Sequence, residues 1–126
     1  MTAAADGIRI LPFDHTCPPL RIIEDGGTAV AVVWPGTGAV KRSMHHIALQ
    51  PGGRTIRLRH DGEAVYYVKD GTGSVADPDD SSVQALVEGS MVHVEPRTAY
   101  QFLAGAEGMT LLGGPCPVDA ALYRHL

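Results

Sequence analysis

Long apolar runs are missing from this sequence. No stretch approaches the ~20 residues needed to cross a bilayer as a helix, so no membrane partner is expected. The start, "MTAAADGIRI", lacks a basic region followed by an apolar one, so no signal peptide is expected and the predicted compartment is the cytoplasm. Cysteine is scarce. Cys17 in "TCPPL" and Cys116 in "GPCPV" lie in proline-rich loops, and neither belongs to a CxxC pair. That pattern argues against a disulfide framework or a thiolate zinc module, and for free thiols in a reducing compartment. Basic residues are in deficit: the formal charge is −4, which leaves no footprint for nucleic acid. The cluster Arg54, Arg57 and Arg59 reads as a solvated or ion-paired strand face. Helical periodicity and internal repeats are also absent.

Short β-rich segments are present instead. "IRIL", "TAVAVVW", "SMHHIAL", "RTIRLRH", "AVYYVK", "SVQALVE", "MVHVE", "AYQFL" and "MTLLG" are separated by turn words such as "PGTG", "QPGG", "KDGTG", "DPDD" and "AGAEG". Many strands at this spacing predict an all-β sandwich or barrel. "DGTG" reads as a hairpin turn. The closing "VDAALYRHL" reads as a short helix or a last strand. At 126 residues the chain fits one domain with one core. We divide it into an N-terminal arm (1–27), a barrel core (28–113) and a C-terminal segment (114–126). "TAVAVVW" is apolar at both parities, so both faces are expected to be covered. A second copy of the chain is one candidate cover, which predicts a homodimer; the chain's own N-terminal arm is the other.

Two segments, "PGGRTIRLRHDGEAVYYVKDGTG" and "EGSMVHVEPRTAYQF", resemble the paired signature motifs of the cupin superfamily, small jelly-roll β-barrels. The resemblance implies a cupin-type jelly roll with an N-terminal arm. Gly52 and Gly71 bracket the first motif; Gly89, Pro96 and Gln101–Phe102 frame the second. The usual metal ligands are mostly replaced. The first motif's two histidine positions fall on Leu58 and His60. Its glutamate position falls on Ala64, with Glu63 one residue away and within reach of a bulge. The second motif's histidine position is Tyr100. The word "EAVY", Glu63 to Tyr66, is similar to a segment of ectoine synthases, in which that glutamate is a metal ligand. Two other residues expected from that family fall on Val92 and Tyr100. Small single-domain cupins also resemble polyketide cyclases.

Strand alternation supplies the lining of the pocket. Ile56, Leu58 and His60 share one face, with Arg57 and Arg59 opposite. Ala64, Tyr66 and Val68 share another, as do Thr98, Tyr100 and Phe102. His45 is expected inward and His46 outward, with His93 on the surface. The candidate catalytic residues are therefore His60, Tyr100, Glu63 and Tyr66. Candidate substrate contacts are His45, Leu58, Val92 and Phe102. A divalent transition metal (Zn, Fe or Ni), if bound, would take His60, His45 and Glu63. Without a metal, a histidine and a tyrosine can move protons in a water-poor pocket. The expected function is cyclisation, isomerisation or dehydration of a small molecule. The alternative is a non-catalytic barrel that binds or senses one.

Overall fold

A computed structural model describes residues 7–126. Six strands account for the fold: β1 (Ile23–Val33), β2 (Met44–Thr55), β3 (Glu63–Asp77), β4 (Ser82–Leu86), β5 (Met91–Val94) and β6 (Gln101–Cys116). All pairings are antiparallel, in the order β1-β2-β6-β3-β4, and β5 pairs β3 separately. Single 3-10 turns at Pro35–Thr37 and Ala120–Tyr123 are the helical elements among the described residues.

The turn words inside the long strands do not reverse the chain. "KDGTG" lies within β3, "QPGG" within β2 and "AGAEG" within β6. β3 pairs β5 through Ala64–Tyr67 and β4 through Gly73–Asp77, so its two halves serve different neighbours. The expected hairpin at "DGTG" is therefore a corner, where one strand passes from one layer to the other. Register shifts mark it, between Val68 and Asp70 and between Gly71 and Gly73. Glycine is what this corner requires. Gly71 sits at φ +82°, and a Cβ there would lie 2.1 Å from the Gly108 carbonyl oxygen. Bulges that let strands change sheets are the usual device of such sandwiches.

Inward residues of both layers form one core. It includes Ile47, Leu49, Val68, Phe102, Met109 and Leu111, all nearly sealed from solvent. The alternation expected from sequence holds in β2 and β3: His45, Ile47 and Leu49 are buried, as are Ala64, Tyr66 and Val68. His46 and His93 face outward. Arg57 and Arg59 point out to Asp79, and Arg54 to Glu24. "RTIRLRH" is not a continuous strand: β2 ends at Thr55, and Leu58 holds an isolated bridge to Tyr100.

"IRIL" is not a strand. Ile8 and Ile10 are 88% and 85% exposed and have no ladder to join. Further along the arm, Leu20 N–H donates to the Ala29 carbonyl and Ala31 N–H to the Pro18 carbonyl. The arm thus pairs the free edge of β1, and Phe13 stacks on the His46 ring at 3.8 Å. Of the two covers considered for "TAVAVVW", the chain's own arm supplies at least this part. Cys17 and Cys116 are both free thiols. No helix among the described residues is long and apolar enough to cross a membrane.

Candidate active site

The centre of the barrel holds a line of four hydrogen-bonded side chains. Asp119 Oδ2 lies 2.7 Å from His60 Nδ1, His60 Nε2 lies 2.6 Å from the Tyr100 hydroxyl, and that hydroxyl lies 2.6 Å from the Tyr66 hydroxyl. Each member comes from a different part of the chain. His60 stands just past the Leu58 bridge, Tyr100 faces Leu58 across that bridge, and Tyr66 projects from β3. Asp119 caps the C-terminal 3-10 turn, its other carboxylate oxygen accepting the Ala121 N–H at 3.1 Å.

The chemistry of the groups sets the direction of the bonds. An ionised carboxylate only accepts, so His60 Nδ1 carries the hydrogen and donates it to Asp119. In the neutral imidazole Nε2 then accepts, and Tyr100 donates to it. Tyr100's oxygen in turn accepts from Tyr66. Burial pushes the Tyr100 and Tyr66 hydroxyls well above the ordinary tyrosine range, so both stay protonated. Around them the environment is apolar and aromatic. The Phe102 ring meets Tyr66 edge-on at 4.8 Å and Tyr100 at 5.7 Å.

A second pair lies alongside. His45 Nε2 is 2.7 Å from the Tyr123 hydroxyl, and Tyr123 packs against the Trp34 ring. Burial, helped by the proximity of His60, lowers the His45 pKa to about 4, so the ring is neutral near pH 7. Its Nδ1 is buried without a partner among the described residues.

Two openings reach this line from different sides. β4 and β5 pair opposite ends of β3 and do not pair with each other. A groove of about 510 Å³ lies along that gap, and Tyr100, itself only 2% exposed, forms part of its wall. A crevice of about 320 Å³ between the 60–62 turn and the C-terminal segment is lined by His60, Asp119 and Arg124.

The structure brings together His60, Tyr100 and Tyr66. It places Val92 on the groove wall, and Phe102 and Leu58 in the packed core beside the line. His45 lies inside the barrel but bonds Tyr123 and lines neither opening. Glu63 does not join them. The β3–β5 register runs without a shift from Ala64 to Tyr67, so no bulge turns Glu63 inward, and its carboxylate lies 3.6 Å from His93 outside. Sequence reasoning missed Asp119 and Tyr123. The aspartate that opens "DAALY" carried an N-cap signal, but nothing local indicates that its second oxygen meets His60.

The candidate metal set does not converge. Leu58 and Ala64 offer no ligand atom, both His60 nitrogens are engaged, and Glu63 faces outward. Among the described residues, no three His, Cys, Asp or Glu side chains are grouped to hold a metal ion. These donors do not fit the metal centre that the cupin resemblance implies.

Comparison with solved structures gives matches over most of the chain. The polyketide cyclase RemF from Streptomyces resistomycificus aligns at 17% identity, covering 88% of this chain and 81% of that one, with a TM-score of 0.67. The chain has the cupin fold. An RmlC-like cupin from Shewanella frigidimarina matches at 17% identity over 90% of this chain and 96% of that one, with a TM-score of 0.67. KdgF from Halomonas sp. matches at 13% identity over 90% and 98%, again with a TM-score of 0.67. No family model matches the sequence, and no curated protein matches it. Identities this low establish the cupin barrel and leave its reaction to be argued from the site.

Proposed function

We propose that this cupin catalyses a proton-transfer reaction on a small molecule: a cyclisation, an isomerisation or a dehydration. The observation that carries the reading is the unbroken line Tyr66–Tyr100–His60–Asp119. Tyr100 is too deeply buried to persist as a phenolate, so its part is to pass a proton on in a single concerted step. The substrate gives a proton to the Tyr100 oxygen as the Tyr100 proton moves to His60 Nε2. The resulting imidazolium is stabilised by the Asp119 carboxylate. Reversal at another substrate atom completes an isomerisation; delivery to a departing hydroxyl releases water. Tyr66 holds the Tyr100 oxygen by its other lone pair and keeps it aimed. RemF's description as a polyketide cyclase is compatible with this chemistry.

The test needs no knowledge of the natural substrate. Small aromatic ketones in D2O are followed by NMR for exchange of the protons next to the carbonyl. The wild type is expected to accelerate exchange, and Tyr100→Phe and His60→Ala to lose about 10²-fold or more of that acceleration. Asp119→Asn, at the solvent-facing end, provides a variant less exposed to folding defects. Equal exchange rates in variants and wild type would overturn the proposal. Ligands that bind in the groove while none exchanges would favour the second reading, a barrel that binds without turnover.

We further propose that the protein acts as a homodimer. The arm residues Ile8 and Ile10 and the outer-face residues Tyr67 and Met91 leave apolar surface uncovered in the single chain.

A further inference from the structure

We infer that the groove between β4 and β5 selects a ligand with an apolar body and a cationic, amine-type end, and that it disfavours anions. The inference rests on the reading above only in taking the groove as the approach to Tyr100. The cavity itself makes the site. Its volume, about 510 Å³, is that of an ordinary small-molecule pocket. Its inner surface is apolar where Val75, Leu86, Val92, Val94 and Ala99 meet. Those side chains suit a flat hydrocarbon body.

The charges around that surface are of one sign. Asp77, Asp80 and Glu95 contribute carboxylates, and no lysine or arginine is among the described residues that line the groove. Hydrogen bonds hold two of the carboxylates in place. Asp77 Oδ1 accepts the Asp79 N–H and Asp80 Oδ1 accepts the Ser82 N–H; the Ser82 hydroxyl and that N–H together keep the Asp80 carboxyl below its usual range. The arginines at 57 and 59 are tied to Asp79, which is not part of the groove. His93 does line it, but lies 3.6 Å from each of two carboxylates, Glu63 and Glu95. Gln84 and Ser82 add neutral polar groups. An anionic ligand entering here meets carboxylates and finds no lysine or arginine on the groove wall. An ammonium group finds counter-charges on the rim while its hydrocarbon body lies on the apolar floor, with Tyr100 at the inner wall.

The experiment uses three probes with one ring system: 2-naphthylmethylammonium, 2-naphthalenemethanol and 2-naphthoate. Each is titrated into the isotopically labelled full chain at low ionic strength and followed by amide NMR shifts. The ammonium probe is expected to bind about tenfold or more tightly than naphthoate, with the alcohol between them, because each exposed carboxylate contributes about twofold. Shifts are expected at Leu86, Val92 and Val94. The preference should shrink at ~0.5 M salt, where exposed charges are screened. Asp77→Asn combined with Glu95→Gln should cut the preference to about the twofold that Asp80 alone contributes, while leaving the alcohol's affinity unchanged. Naphthoate binding as tightly as the ammonium, shifts mapping elsewhere, or no ammonium binding up to millimolar concentration would overturn the inference. Tyr100→Phe separates the two proposals, since it removes the proton-transfer group and keeps the groove's charges. Ammonium preference without ketone exchange leaves the groove standing and sinks the catalytic reading; exchange without the preference does the reverse.

Discussion

Acidification should destabilise the protein through His45, and the size of the effect can be worked from its burial. In the unfolded chain a histidine titrates near pH 6.5; in the folded barrel His45 titrates at about 4. Between those values the unfolded state binds a proton that the folded state refuses. Stability therefore rises with pH across this window, is fully present above about pH 6.5, and is lost as pH falls toward 4. Integrating the two titrations, the loss relative to pH 7 is about 2 kcal/mol at pH 5 and about 3 kcal/mol at pH 4. For a small domain that is a large part of the total. The assay is urea unfolding at a series of pH values, read by the fluorescence of Trp34, whose ring centroid lies 5.2 Å from that of Tyr123. Carboxylates and the other histidines also titrate, so the informative quantity is the difference from His45→Gln. That variant keeps a donor and an acceptor near Tyr123 and cannot titrate. Its stability should fall about 3 kcal/mol less between pH 7 and pH 4 than that of the wild type. Parallel curves for the two proteins would refute the reasoning, because they would mean that His45 is solvated or already protonated inside the barrel.

Other expectations follow from the same geometry. Tyr66→Phe leaves the Tyr100–His60 bond intact and removes one hydrogen bond, so thermal or urea unfolding should show a loss of about 1 kcal/mol. Ketone exchange should fall less in that variant than in Tyr100→Phe. Gly71→Ala forces a Cβ to 2.1 Å from a carbonyl at a positive-φ corner, so the soluble yield or melting temperature should drop sharply, while Gly89→Ala, where nothing lies within 4 Å, should cost less. Sedimentation velocity should return a dimer near twice 13.3 kDa, and deletion of residues 1–10 should weaken it; a concentration-independent monomer would refute the homodimer.

Much of the barrel was legible in the sequence because its signals are local. Alternation in "SMHHIAL" and "EAVYYVK" fixed which side chains turn inward, and the structure has His45, Tyr66 and their neighbours on those faces. The turn words were misread for a physical reason. Glycine permits both a reversal and a corner, and only the pairing of each half of β3 with a different strand distinguishes them. "IRIL" had strand composition but finds no ladder. Composition permits pairing without providing a partner. The Glu63 expectation failed because it needed a bulge, and a continuous ladder with β5 leaves no room for one. Asp119 was out of reach because its meeting with His60 spans 59 residues.

Two polar residues stand at positions where the cupin resemblance places metal ligands. Of the four positions at which cupins usually hold metal ligands, Leu58 and Ala64 are apolar and pack in the core. His60 and Tyr100 occupy the other two and bond directly to each other. A core closed only for stability gains nothing certain from such a pair, since buried polar networks often do no better than well-packed apolar ones. Tyr66, at one end of the line, is sealed in the core, but the line is open at two other points. Tyr100 reaches the wall of a groove large enough for a ligand, while the aspartate at the far end is 24% exposed. A purely structural network has no need of access at two points. A proton-transfer site can use both: Tyr100 meets the substrate from the groove, and the opening at His60 and Asp119 lets that pair exchange protons with solvent, as the D2O assay requires.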